Sequence, residues 1–97
     1  MTFQQFSQSV ANAHPPEKIS TLLEAMWYDA NGQWTKAHEI AQDIDTFQGA
    51  WVHAFLHRKE GDEGNAGYWY RKAGKPFPTI TLQEEWQEIA SSLLTTP

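Results

Sequence analysis

Two histidines, His53 and His57, stand four residues apart in the stretch AWVHAFLHRKEGDEGNAGYWYRKAG. On a helix that spacing projects both imidazoles from one face, where a third ligand would let them hold a metal ion. Glu60, three residues beyond His57, falls on the same side, and His38 on the neighbouring helix is a further candidate ligand. Ala54 follows His53, so the H-E-x-x-H pattern of zinc proteases is missing and no catalytic base comes with the pair. Two histidines and a distant carboxylate do not make a dedicated metal set, so no bound metal and no cofactor are expected. The plainer use of the pair is structural, with both rings packed inside a helical hairpin beside Ala66 and Tyr70. The sharper one is a small enzyme or ligand-binding protein working through His53, His57, Arg58 and Glu60.

Two more groups of residues carry recognition chemistry. The run YWYRKAGKP interleaves aromatics with bases, a composition that holds anionic ligands by stacking and charge. Trp69 and Tyr70 share a helix face with Ala66 and Ala73, which is the expected core face, so Tyr68, Arg71, Lys72 and Lys75 are the side chains expected in solvent. On another face of the preceding helix lie Trp51, Phe55, Arg58 and Lys59, an apolar pair beside two cations.

These residues sit in a chain of 97 residues, which is one domain's length. A domain that small has limited surface to bury, and five Trp, five Phe and three Tyr enlarge its apolar content. There is no Cys, which excludes disulfides and thiolate metal sites and points to a reducing, cytoplasmic setting. No apolar run reaches membrane-spanning length, and the opening MTFQQFSQSV lacks the pattern of a secretory signal. The net charge of −5 argues against nucleic acid or anionic lipid as partner. The charge is uneven: residues 58–75 carry five bases against three acids, while the remainder carries two bases, Lys18 and Lys36, against nine acids. An acidic peptide fits the basic zone, and so does the acidic face of a second copy.

Helical spacing runs the length of the chain and no strand-like alternation appears. Phe3, Phe6 and Val10 mark a short first helix in residues 1–15, closed by a proline linker. A hairpin over residues 16–45 follows. Its first helix runs from about Pro16 to Ala30, with Ile19, Leu22, Leu23, Met26 and Trp27 inward and the prolines in its first turn. Asn31-Gly32 ends it, and the next helix spans about Gln33 to Ile44. A second hairpin over residues 47–75 places one helix from about Gln48 to Glu60 and another from about Glu63 to Ala73, with Gly61-Asp62 between them as stop and N-cap. Gly74, Pro76 and Pro78 form a rigid loop. Thr81 and Glu84 make a capping box for a last helix over residues 79–94, with Leu82, Trp86, Ile89 and Leu93 inward and Glu84, Glu85 and Glu88 in solvent.

Superposing NGQWTKAHEIAQDI on EGDEGNAGYWYRKA matches Gly32 with Gly61 and Ala37 with Ala66, each 29 residues apart. That is the trace two stacked helical hairpins leave. Gly61-Asp62, Ala66, Tyr70, Ala73 and Pro78 resemble the second half of a tetratricopeptide-type repeat, over residues 50–78. The resemblance implies an all-α fold of five or six short helices in stacked antiparallel hairpins, forming a single small domain. It also implies a concave groove in which Trp51 and Phe55 supply apolar contact while Arg58 and Lys59 take a carboxylate. The expected function is accordingly a non-catalytic interaction module, binding a protein or acidic peptide through Trp51, Phe55, Arg58, Lys59, Arg71 and Lys72, unless a terminal helix covers the groove. A homodimer is the cheapest form of that partnership.

Overall fold

A computed structural model describes residues 1–95, and among them every regular element is a helix. In chain order these are α1 (Phe3–Ser9), α2 (Thr21–Ala30), α3 (Trp34–Ala41), α4 (Phe47–Lys59), α5 (Glu63–Ala73) and α6 (Leu82–Thr95). α4 organises the rest. Its residues from Gly49 to Leu56 are all buried, because Ala, Trp, Val, Phe and Leu occur on every side of the helix. A helix apolar all round must be covered all round, and α4 packs against α2, α3, α5 and α6.

The two hairpins, α2–α3 and α4–α5, turn in the same way. Gly32 and Gly61 hold φ of 86° and 87°, a left-handed conformation that is cheap only for glycine. In each turn the glycine N–H bonds the carbonyl three residues back, Asp29 or Arg58, and the next N–H reaches five back, to Tyr28 or His57. Ala37 and Ala66, the other matched pair, are both fully buried. The two turns thus share one hydrogen-bonding geometry. A third glycine is fixed by crowding: a Cβ on Gly49 would lie 2.1 Å from the Ile44 carbonyl oxygen.

α2 starts later than its prolines suggest. Pro15 and Pro16 lie in the linker, Lys18 takes a φ of 63°, and the helix begins at Thr21 behind Ser20, whose hydroxyl accepts from the Leu23 N–H. The side-chain cap outcompetes the prolines as a start signal. α5 occupies the expected span, with Asp62 accepting from the Asn65 N–H and Gly74 closing it at φ 71°. The capping box at Thr81 and Glu84 forms in both directions, at 3.0 Å each way.

Tryptophans tie the helices together. Trp27 donates its indole N–H to the Ser9 carbonyl, Trp34 to Leu56, and Trp86 to Met26, each joining two different elements. The ring of Trp86 also receives Phe6 in a stack and Phe3 edge-on, which docks α1 on α6. α6 lies against α4 and α2. Its inward set differs from the expected one: Leu82 is exposed, and Glu85 is buried beside Ile89, Ala90 and Leu93. No helix among the described residues is long and apolar enough to cross a membrane.

Candidate functional site

α3 and α4 bring three imidazoles together. The spacing of four puts His53 and His57 on one face of α4, and the tight Gly49–Ile44 approach brings α3 alongside with His38 facing them. The ring centroids are 4.7, 4.8 and 5.1 Å apart, and one ring nitrogen from each lies within 4.8 Å of the others. The Nε2 atoms of His38 and His53 are 2.9 Å apart. One of them must carry a proton and the other must not, so the two rings hold opposite tautomers when neutral. Nδ1 of His57 lies 2.6 Å from Glu60 Oε1, so that nitrogen bears a proton, and in the neutral ring Nε2 keeps its lone pair. Two indoles brace the group: Trp34 stacks on His38 at 5.0 Å and Trp69 on His53 at 4.1 Å.

Packing the rings together disfavours the charged form of His38 and His53. Burial, then the neighbouring His38 and His57, push His53 down to about 4. His38 moves down for the same first reason and from His57, against the pull of Glu60 and Glu39. His53 is buried, as the structural reading of the pair expects. It packs on Trp69, which is only half-buried because its other side borders a cleft.

That cleft has a volume of about 640 Å³. The α3–α4 turn forms one wall, with Ile44, Asp45, Thr46 and Phe47. α5 forms the other, with Trp69 and Lys72, and His53 borders it. Phe47 is 73% exposed, the largest exposure among the large apolar side chains. Lys72 Nζ lies over Tyr68 and Trp69, 5.5 and 5.6 Å from the ring centres.

The apolar–basic face of α4 is used internally. Trp51 is 6% and Phe55 1% exposed, because α6 lies over them. Lys75 closes the remaining side of Trp51, with Nζ 4.0 Å from the ring centre. Arg58 points away from the histidines. Its Nη1 donates to Glu85 Oε1 at 2.8 Å, and its Nη2 donates to the Ile80 carbonyl. Lys59 donates to both oxygens of buried Asp29, at 3.1 and 3.2 Å. Burial of Asp29 outweighs the attraction of Lys59 and leaves its carboxyl above the usual range. The four residues expected to line an open groove are thus committed within the molecule. Two of the bases behind the charge asymmetry are paired with acids of the same chain. Arg71 and Lys72 remain exposed, as expected.

Glu85 is the residue the sequence misplaced most. It accepts from Trp51 Nε1 at 3.2 Å, from Arg58, and from the Tyr70 hydroxyl, which lies 2.6 and 2.8 Å from its two oxygens. Burial, the hydrogen bond to Glu85 and the Glu85 charge push the Tyr70 phenol well above its usual range, against Arg58. A phenol raised in the folded state holds its proton after the unfolded chain has lost it, at about pH 10. Its contribution to stability is full below that pH and is lost as pH rises beyond it. Urea midpoints of the wild type should therefore fall between about pH 9 and about pH 11, and those of Tyr70→Phe should fall less steeply. Parallel curves would place the phenol in solvent.

No protein-family model, curated protein or solved structure matches the chain.

Proposed function

We propose that this protein is a non-catalytic binding module whose recognition site is the cleft between the α3–α4 turn and α5, and whose partner is an acidic peptide with one large apolar side chain. The observation that carries this is Phe47, left largely exposed at the rim of a cleft that also contains half-buried Ile44 and Trp69. An aromatic so exposed costs free energy in water and gains it when covered. A volume of about 640 Å³ accepts a bulky side chain with room for flanking backbone. Lys72, on the cleft wall, supplies the charge that a carboxylate meets, and exposed Arg71 adds to the positive charge of α5. Asp45 on the opposite wall repels a second one, so a single acidic group near Lys72 is the best match. This moves the site from the α4 face read in the sequence to the α5 side, keeping Arg71 and Lys72 and replacing Trp51 and Phe55 by Phe47 and Trp69.

Fluorescence anisotropy with labelled peptides of defined sequence provides the test. A Phe- or Leu-centred peptide with one neighbouring Glu should bind in the micromolar range, roughly −8 kcal/mol. Its charge-reversed counterpart should not. Phe47→Ala and Lys72→Glu, both at exposed positions, should each weaken binding about tenfold without changing the fold, about 1.4 kcal/mol apiece. Equal binding by the variants would contradict the site, and failure of every peptide would contradict the partner class. Concentration-dependent sedimentation abolished by Phe47→Ala would replace the peptide with a second copy.

A further inference from the structure

We infer that His38, His53 and His57 form a binding site for one divalent transition-metal ion of the zinc class, held by three imidazole nitrogens. The inference goes beyond the peptide-binding reading and does not depend on it. In the sequence the set is two histidines on one helix and a distant carboxylate, with His38 only a possible ligand from a neighbouring helix. The fold brings His38 of α3 into the set and places all three candidate nitrogens within 4.8 Å of one another.

The geometry is close to what an ion needs. Tetrahedral coordination with metal–nitrogen bonds of about 2.0–2.1 Å puts ligand nitrogens about 3.3 Å apart. The His38–His53 pair, at 2.9 Å, would open by a few tenths of an ångström, and His57 would close toward them. The ion would take the place of the proton that His38 and His53 now share. Helical i, i+4 spacing fixes two ligands on one rigid element, and stacking on Trp34 and Trp69 limits the rotation of two rings. Three neutral imidazoles suit zinc, copper or nickel and offer nothing to calcium or magnesium, which take oxygen ligands.

Glu60 has its own part. Its hydrogen bond to Nδ1 of His57 fixes the tautomer that directs Nε2 to a metal and raises the basicity of that nitrogen, the usual carboxylate–histidine–metal arrangement. His57, Glu60 and Asp62 also lie close together, but they are a poorer set. Glu60 is engaged with His57, and Asp62 caps α5 through Asn65, whose backbone N–H and side-chain amide it accepts at 3.2 and 2.8 Å. Three protein ligands leave a fourth coordination position for water or an outside donor.

The test uses protein stripped with a chelator and titrated with zinc chloride in competition with a chromophoric chelator, with circular dichroism to confirm folding. Wild type should bind one equivalent saturably, and cobalt in its place should give a tetrahedral absorption spectrum. His38→Ala and His57→Ala, at half-buried positions, should stay folded and lose that equivalent. Glu60→Gln should bind roughly 10–100-fold more weakly, and His14→Ala, at an exposed histidine in the linker, should bind as wild type does. Absence of saturable binding would overturn the site. So would an equivalent that persists in His38→Ala and His57→Ala, or one lost in His14→Ala, since either places the ion elsewhere.

Discussion

Glu85→Ala should lower the stability of the fold by about 3–5 kcal/mol, the cost of removing one partner from a buried ion pair. The carboxylate is 1% exposed and is shared by Trp51, Arg58 and Tyr70 from α4 and α5. Without it, the Arg58 guanidinium keeps one carbonyl partner, and two further donors lose theirs inside the protein. Domains of this size change midpoint by roughly 4–8 °C per kcal/mol, so the thermal midpoint should drop by at least about 12 °C. Glu84→Ala and Glu88→Ala, exposed on the same helix, are the controls. Glu84→Ala should lose only its capping-box share, about 0.5–2 kcal/mol. Pairing Glu85→Ala with Arg58→Met should cost less than the two changes summed, because the second removes the charge that the first strands. A Glu85→Ala midpoint no lower than that of the controls would show that α6 does not pack in this register.

Trp27→Ala should be similarly costly, about 3–5 kcal/mol from lost burial and residual cavity. Trp27 has no exposed surface, and its indole N–H donates to the Ser9 carbonyl at 3.0 Å. That bond, with Asn31 Nδ2 donating to the Val10 carbonyl, holds the end of α1 against α2. α1 has only seven residues and cannot persist alone. Proteolysis should therefore reach the segment after Ser9 well before the core in Trp27→Ala, with denaturant midpoints recording the overall loss. Trp27→Phe should fall between the variant and the wild type. Wild-type protection of this segment in Trp27→Ala would mean that Phe3 and Phe6 on Trp86 suffice to dock α1.

The order of helices was legible because their punctuation is local. Gly61-Asp62, Asn31-Gly32 and the Thr81–Glu84 box each act through neighbouring backbone groups, and all three appear where the spacing placed them. α2 was misread because two start signals competed, and Ser20 prevailed over Pro16. What the sequence could not show was partnership across distance. Whether Trp51 and Phe55 lay in an open groove or under a terminal helix had no local signal, and α6, some thirty residues on, covers them. Glu85 did leave a signal: it stands four residues before Ile89 and eight before Leu93, on the buried face, but its charge suggested solvent. Its three donors lie 15, 27 and 34 residues away, beyond any local pattern. His38 was in view only as a candidate. Fifteen residues separate it from His53, and their contact depends on how closely α3 approaches α4 at Gly49.

Nitrogen-15 NMR of the imidazole side chains, recorded on metal-free protein near neutral pH, reads the cluster itself. Exposed His14 provides the reference for a ring that averages freely between tautomers. His38 and His53 should show opposite tautomers, one protonated at Nε2 and the other at Nδ1, as their 2.9 Å contact requires. His57 should be held with its proton on Nδ1, and Glu60→Gln should loosen that preference. Three rings that average as His14 does would show that the imidazoles do not meet, and both the candidate site and its metal would go with them.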